Sequence, residues 1–158
     1  MVVIDNKNKR ISKDNPLKVL LVEDNPAHAE LIMRSLEDHE IHNKIYHISD
    51  GEAALDFIFN RASYSDKEAF PRPHIILLDL RLPRIGGLEV LREIKATEDT
   101  KKIPVIILTT SKAEIDVNTA YEHYANSYLV KPVDFDEFIK LMNDLGYYWL
   151  NLNSSTEK

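Results

Sequence analysis

Four consecutive aliphatic residues, Ile75-Ile76-Leu77-Leu78, run straight into Asp79, followed by Pro83, Gly86 and Gly87. The run is too short for a helix and has no polar alternation, which fits a strand covered on both faces, as in a parallel sheet. The same pattern recurs along the chain. Residues 17–22 are apolar and stop at Glu23-Asp24, residues 103–108 stop at Thr109-Thr110, and residues 127–130 stop at Lys131-Pro132. Residues 44–48 read as one more strand. Between these runs the apolar positions fall at helical spacing. Ala29, Ile32, Met33 and Leu36 mark a helix over 26–38, Ala54, Leu55, Ile58 and Phe59 mark a second, and Leu88, Val90, Leu91 and Ile94 mark a third. A fourth is expected from Ser111 to about Tyr124 and a last one to about Leu150.

Local start signals agree. Asn25-Pro26 reads as an N-cap followed by proline at the first helical position. Ser49 to Glu52 and Ser111 to Glu114 have capping-box spacing, and Asp134 precedes the last helix. Residues 60–73 break the rhythm and predict a long surface loop. Strict alternation of strands and helices predicts an α/β, flavodoxin-like (βα)5 doubly wound sheet of five parallel strands in the order 2-1-3-4-5. The expected organisation is a flexible polar arm over 1–16, one domain over 17–150 and a tail over 151–158.

Composition narrows the function classes. The 158 residues, 44% hydrophobic and 29% charged, describe one soluble globular domain. A net charge of −6 argues against a broad nucleic-acid surface. With no cysteine there is no disulfide, thiol nucleophile or Cys-based metal site. No apolar run approaches the roughly 18 residues needed to cross a bilayer, and no signal peptide is visible at the N-terminus. The expected location is the cytoplasm.

The candidate chemistry lies at the strand ends. Parallel strands deliver Glu23, Asp24, Asp79, Thr109 and Lys131 to one edge, where open α/β sheets bind ligands. Three neighbouring carboxylates repel, and a cation relieves the repulsion. Hard oxygens without histidine or cysteine beside them favour Mg²⁺. A lysine and a threonine complete a set suited to holding phosphoryl oxygens. A carboxylate can itself be the nucleophile and form an acyl phosphate, and Asp79, at the centre of the sheet, is the candidate.

Leu21-Val22-Glu23-Asp24-Asn25, Leu78-Asp79-Leu80-Arg81-Leu82-Pro83 with Gly87, Val105 to Thr109, and Tyr128-Leu129-Val130-Lys131-Pro132 together resemble a two-component response-regulator receiver domain. The resemblance covers about Leu17 to Leu150. It implies that Asp79 accepts a phosphoryl group from the phosphohistidine of a sensor histidine kinase. It implies Mg²⁺ held directly by Asp24 and Asp79, through water by Glu23, and by the backbone carbonyl of Arg81. Thr109 and Lys131 would bind the phosphoryl group, Thr109 and Tyr128 would form the switch, and the bond before Pro132 would be cis. The loop over 60–73 and the aromatic Tyr147-Tyr148-Trp149 look like the stand-alone regulators that serve phytochrome-type kinases. Arg81 and Ser111, two residues past Asp79 and Thr109, are expected to tune the lifetime of the phosphorylated state.

Two departures stand out. Gly86 replaces a common aspartate, and Tyr124 replaces a helix-ending glycine, which predicts that Asn126 takes the left-handed conformation instead. With one helix after Lys131, no DNA-binding effector is expected in this chain, and output is expected through a protein contact, phosphorelay or sequestration of phosphate. Two alternatives differ in class: a pseudo-receiver that only binds, and a haloacid-dehalogenase-like phosphatase. The latter needs Asp-x-Asp on the first strand, where this chain has Glu23-Asp24-Asn25. Glycine-rich nucleotide motifs are absent. Phe138, Met142, Leu145, Trp149 and Leu152 form one apolar stripe, with Ile139, Leu141, Tyr148 and Leu150 beside it. With Val117, Tyr121 and Tyr124 they predict a symmetric homodimer through the last two β-α units.

Overall fold

The structure is a computed structural model describing residues 10–38 and 42–146. The elements follow the expected alternation: β1 Leu17–Val22, α1 Pro26–Glu37, β2 Asn43–Ile48, α2 Gly51–Ile58, β3 Ile75–Leu78, α3 Gly87–Ala96, β4 Val105–Thr109, α4 Glu114–Glu122, β5 Ser127–Val130 and α5 Phe135–Gly146. All strand pairs are parallel and the order is β2-β1-β3-β4-β5. The aliphatic runs are buried on both faces because each strand feeds two cores in alternation. Leu20, Val22, Ile76, Leu78, Val105 and Ile107 pack with α2 and α3 residues such as Leu55, Phe57, Val90 and Leu91. Their neighbours Val19, Leu21, Ile75, Leu77, Ile106 and Leu108 pack with Ile32 and Leu36 of α1 and Phe138, Met142 and Leu145 of α5.

The described part of the N-terminal arm, 10–16, touches the core at one residue. Ile11 is buried in the α1/α5 core, and Ser12 and Asn15 exchange backbone hydrogen bonds of 3.0 and 3.1 Å. An apolar side chain next to an open core edge gains by covering it, and the polar composition of the arm hid that one residue. The surface loop after α2 is fastened by Asn60, whose Nδ2 donates to the carbonyls of Tyr64 and Phe70, while those two rings pack edge-on at 5.0 Å between centroids.

The caps divide. Asn25 Oδ1 accepts from the amides of Ala27 and His28 at 3.0 and 3.1 Å, with Pro26 first in the helix, as expected. Asp134 Oδ1 caps α5 through the Glu137 amide at 3.0 Å. At α2 the cap is Asp50, not Ser49, its Oδ1 accepting from Ala53 at 2.7 Å. At α4 the cap position is Ala113, in extended backbone and without a side-chain cap, and Ser111 donates instead to Asp116 Oδ2 at 2.6 Å.

Two further expectations are corrected. Tyr124 itself takes the left-handed conformation, with φ 65°. Asn126 is held elsewhere: its Oδ1 accepts from the Val105 amide at 2.9 Å and from Lys95 Nζ at 3.2 Å. No cis peptide bond occurs among the described residues, so the bond before Pro132 is trans and not cis. The trans form is favoured for X-Pro by roughly 0.5–1 kcal/mol, and in it Lys131 still meets its partners at the sheet edge. Tyr147, Tyr148, Trp149, Leu150 and Leu152 lie outside the described residues.

Candidate functional site

Register assembles the site. Val22 pairs with Leu78 across β1 and β3, so the next residues, Glu23 and Asp79, emerge side by side. The ladder continues one step past the strands, the Asp79 amide donating to the Val22 carbonyl at 3.0 Å. Across β4 and β5, Thr109 pairs with Val130, and the Lys131 amide donates to the Thr109 carbonyl at 2.7 Å. The start of α3 lies directly on this edge. A Cβ on Gly87 would stand 2.2 Å from the Asp79 carbonyl oxygen, so only glycine lets the helix approach so closely.

Lys131 is the hub. Its Nζ donates to Asp79 Oδ2 at 2.8 Å and is also ion-paired with Glu23 Oε1. Asp79 Oδ1 accepts from the Arg81 amide at 3.1 Å, so each oxygen of Asp79 has one donor and a fixed orientation. Glu23 Oε2 accepts from the Asn25 amide at 3.2 Å, which ties the acidic turn to the cap of α1. His47, at the end of β2, reaches the Glu23 carbonyl with Nε2 at 2.8 Å. Glu23, Asp79, Thr109 and Lys131 are all buried, whereas Asp24 is exposed.

One ammonium thus serves two buried carboxylates, and their acidities separate. Burial pushes Glu23 up to about 7, against the pull of Lys131. Burial also acts on Asp79, but the Lys131 hydrogen bond, the Arg81 amide and the lysine charge outweigh it and hold Asp79 below the usual carboxylate range. Asp79 therefore stays ionised.

One carboxylate oxygen from each of Glu23, Asp24 and Asp79 can be found within 4.8 Å of the others. This donor set fits Mg²⁺: the oxygens are hard, and the exposed Asp24 leaves room for the waters that the ion retains. Thr109 is fully buried at the end of β4, one strand from Asp79. Tyr128 turns its hydroxyl to the Ser111 carbonyl at 2.9 Å, and its amide donates to the Tyr121 phenol oxygen at 3.1 Å.

Sequence reasoning missed His28. The expectation that no histidine lies near these carboxylates is corrected: His28 Nδ1 is 3.2 Å from Lys131 Nζ. The available signal was its place one helical turn past Asp24, which returns it to the same edge. It also missed the Tyr121 hydroxyl on β5, since nothing in the spacing says where a phenol points.

The sequence pattern of the response regulator receiver domain matches residues 19–143. The chain belongs to this family: it is a phosphoaccepting signalling domain of the two-component type, and not an enzyme turning over an external substrate. Among its relatives, the probable methanogenesis regulatory protein FilR2 of Methanothrix harundinacea is 42% identical over 92% of this chain and 91% of its own length. Response regulator Rcp1 of Synechocystis is 41% identical over 87% of this chain and 92% of its own. The crystal structure of Mn²⁺-bound Rcp1 superposes with a TM-score of 0.85, covering 89% of this chain and 99% of that one at 39% identity. The phosphorylated cyanobacterial phytochrome response regulator RcpA gives 0.83 at 32% identity, covering 88% of this chain and 97% of its own. Among the described residues no helix is long and apolar enough to cross a membrane.

Proposed function

We propose that Asp79 is the phosphoacceptor of this receiver and that a sensor histidine kinase of the phytochrome type is its donor. The observation that carries the reading is the Lys131 ammonium on Asp79 Oδ2 at 2.8 Å beside a cluster of three carboxylates. An oxygen of Asp79 attacks phosphorus as the P–N bond of the kinase phosphohistidine breaks, and the leaving imidazole nitrogen takes a proton. Asp24, Asp79 and the Arg81 carbonyl, with Glu23 through water, would hold a Mg²⁺ ion, which would supply charge neutralisation for the transferring group. Lys131 follows the phosphoryl oxygens, and Thr109 donates its hydroxyl to one of them.

Thr109 and Tyr128 then form the switch. Tyr128 bonds the Ser111 carbonyl, two residues past Thr109, so a movement of the β4–α4 loop toward the phosphoryl group changes the seat of the ring. The phytochrome-type donor rests on relatives such as RcpA, which carry that association in their names. The cytoplasm is the compartment this reading assigns.

The output surface is a symmetric homodimer through the last two β-α units. Ile115 and Tyr124 are 73% and 75% exposed, and Tyr121, Val133 and Phe135 are exposed as well. Exposed apolar groups of this size in the last two β-α units suit an interaction surface, and a twofold contact is the commonest closed assembly.

The test is phosphorylation with Mg²⁺ and a small phosphodonor. Wild type should acquire a hydroxylamine-labile phosphate, and Asp79→Asn should acquire none, because an amide cannot form the acyl phosphate. A label that survives the substitution contradicts the assignment.

A further inference from the structure

His28 belongs to the first turn of α1, its amide fixed by the capping Asn25 at 3.1 Å. Its ring extends to the sheet edge, where Nδ1 lies 3.2 Å from Lys131 Nζ. On its other side it packs on the buried Phe138 of α5, with centroids 5.5 Å apart and planes tilted 32°. An ammonium only donates, so Nδ1 meets it with a lone pair. The three protein groups around the lysine, Glu23, Asp79 and His28, match its three N–H donors. Burial, and after it the Lys131 charge, holds the imidazole below its ordinary pKa, which keeps it in the accepting neutral form.

The two carboxylates and the imidazole differ in what happens to them during the reaction. A cation drawn to Glu23 and Asp79 weakens their hold on Lys131. His28 is a neutral nitrogen acceptor, which a hard cation does not draw away. Lysine carries a flexible four-carbon stem and is aimed only by what it bonds. We propose that His28 is a positioning residue for phosphoryl transfer: it retains one N–H of Lys131, so that the ammonium stays aimed at the phosphoryl group arriving on Asp79. This rests on the reading of Asp79 as phosphoacceptor.

Two substitutions separate this role from packing. His28→Phe keeps a ring on Phe138 and removes the acceptor. His28→Asn loses the ring and keeps an oxygen where Nδ1 stands. With saturating Mg²⁺ and a small phosphodonor, His28→Phe should slow phosphorylation about tenfold, and His28→Asn should stay within about twofold of wild type, the size expected for one hydrogen bond to a charged group. Mg²⁺ affinity by calorimetry should be unchanged in His28→Phe. The reverse order, with His28→Asn slow and His28→Phe at the wild-type rate, overturns the proposal and makes His28 a packing residue. Equal rates in all three proteins also overturn it. An unlabelled wild type would contradict the Asp79 reading itself, whereas a labelled wild type matched by His28→Phe contradicts only the role of His28.

Discussion

Asp79 and Lys131, separated by 52 positions in the chain, form a buried ion pair at 2.8 Å, with the two side chains 9% and 1% exposed. The same ammonium also neutralises Glu23. Once Glu23 ionises, near pH 7, the site holds one more buried negative charge than positive, an imbalance that a divalent cation would correct. Its geometry and its fit to a divalent cation have one electrostatic cause.

Removing the shared cation tests that account. Lys131→Met leaves Glu23 and Asp79 facing each other without a counter-charge. In chelator this should cost about 3 kcal/mol of unfolding free energy, the scale for breaking one side of a buried pair. Excess Mg²⁺ should restore much of the loss. Denaturant curves with and without metal measure both, and equal stability of the variant and wild type in chelator would speak against a shared cation.

The raised pKa of Glu23 gives a pH dependence with a definite sign. In the folded protein Glu23 titrates near 7, above its ordinary 4.5, so between these values the folded state holds the extra proton. Without metal, stability should therefore fall as pH rises from 4.5 to 7. Metal binding must expel that proton, so Mg²⁺ affinity should weaken below pH 7, by at most about tenfold per unit. Glu23→Gln should flatten both profiles. Asp24→Asn should weaken Mg²⁺ more than Glu23→Gln does, because Asp24 is the proposed direct ligand. Calorimetric titrations at several pH values would reveal either a flat wild-type profile or the reverse order.

Tyr124 sits at φ 65°, where a side chain with a Cβ is strained by roughly 1–2 kcal/mol, and its ring is exposed. Glycine removes the strain and adds freedom to the unfolded chain, so Tyr124→Gly should raise monomer stability by about 0.5 kcal/mol net. If the ring serves the homodimer, the same change should weaken dimerisation about fivefold or more. Stability and self-association are read separately by thermal melts and sedimentation across a concentration series. A more stable variant with unaltered self-association would remove Tyr124 from the interface.

The switch has its own variant. Thr109→Ala should still be labelled on Asp79, since the nucleophile, the acidic cluster and Lys131 remain. The phosphorylation-dependent change in self-association should disappear, because the hydroxyl that pulls the β4–α4 loop is gone. Persistence of that change would break the proposed link between Thr109 and Tyr128.

The strand-end chemistry was legible because each aliphatic run stops abruptly at a polar residue, and parallel pairing leaves only one edge for those residues to share. Side-chain direction was not. Spacing alone did not show that Lys131 would span Glu23 and Asp79, or that His28 would turn toward it from α1. Capping was misread where two acceptors competed: Asp50 lies one position nearer to α2 than Ser49, and Ser111 found Asp116 in place of the helix end. At Tyr124 the usual glycine was missing, and the backbone kept the left-handed turn at the cost of strain, because Asn126 was already engaged by Val105 and Lys95.

The central claim is that Asp79, and no other carboxylate at this edge, carries the phosphoryl group. Borohydride reduces an acyl phosphate to an alcohol and so converts a phosphorylated aspartate to homoserine, which peptide mass spectrometry can locate. After reaction with Mg²⁺ and a small phosphodonor, homoserine should be found at position 79 and nowhere else. Homoserine at position 24, or a reduced glutamate at position 23, with Asp79 intact, would contradict the account.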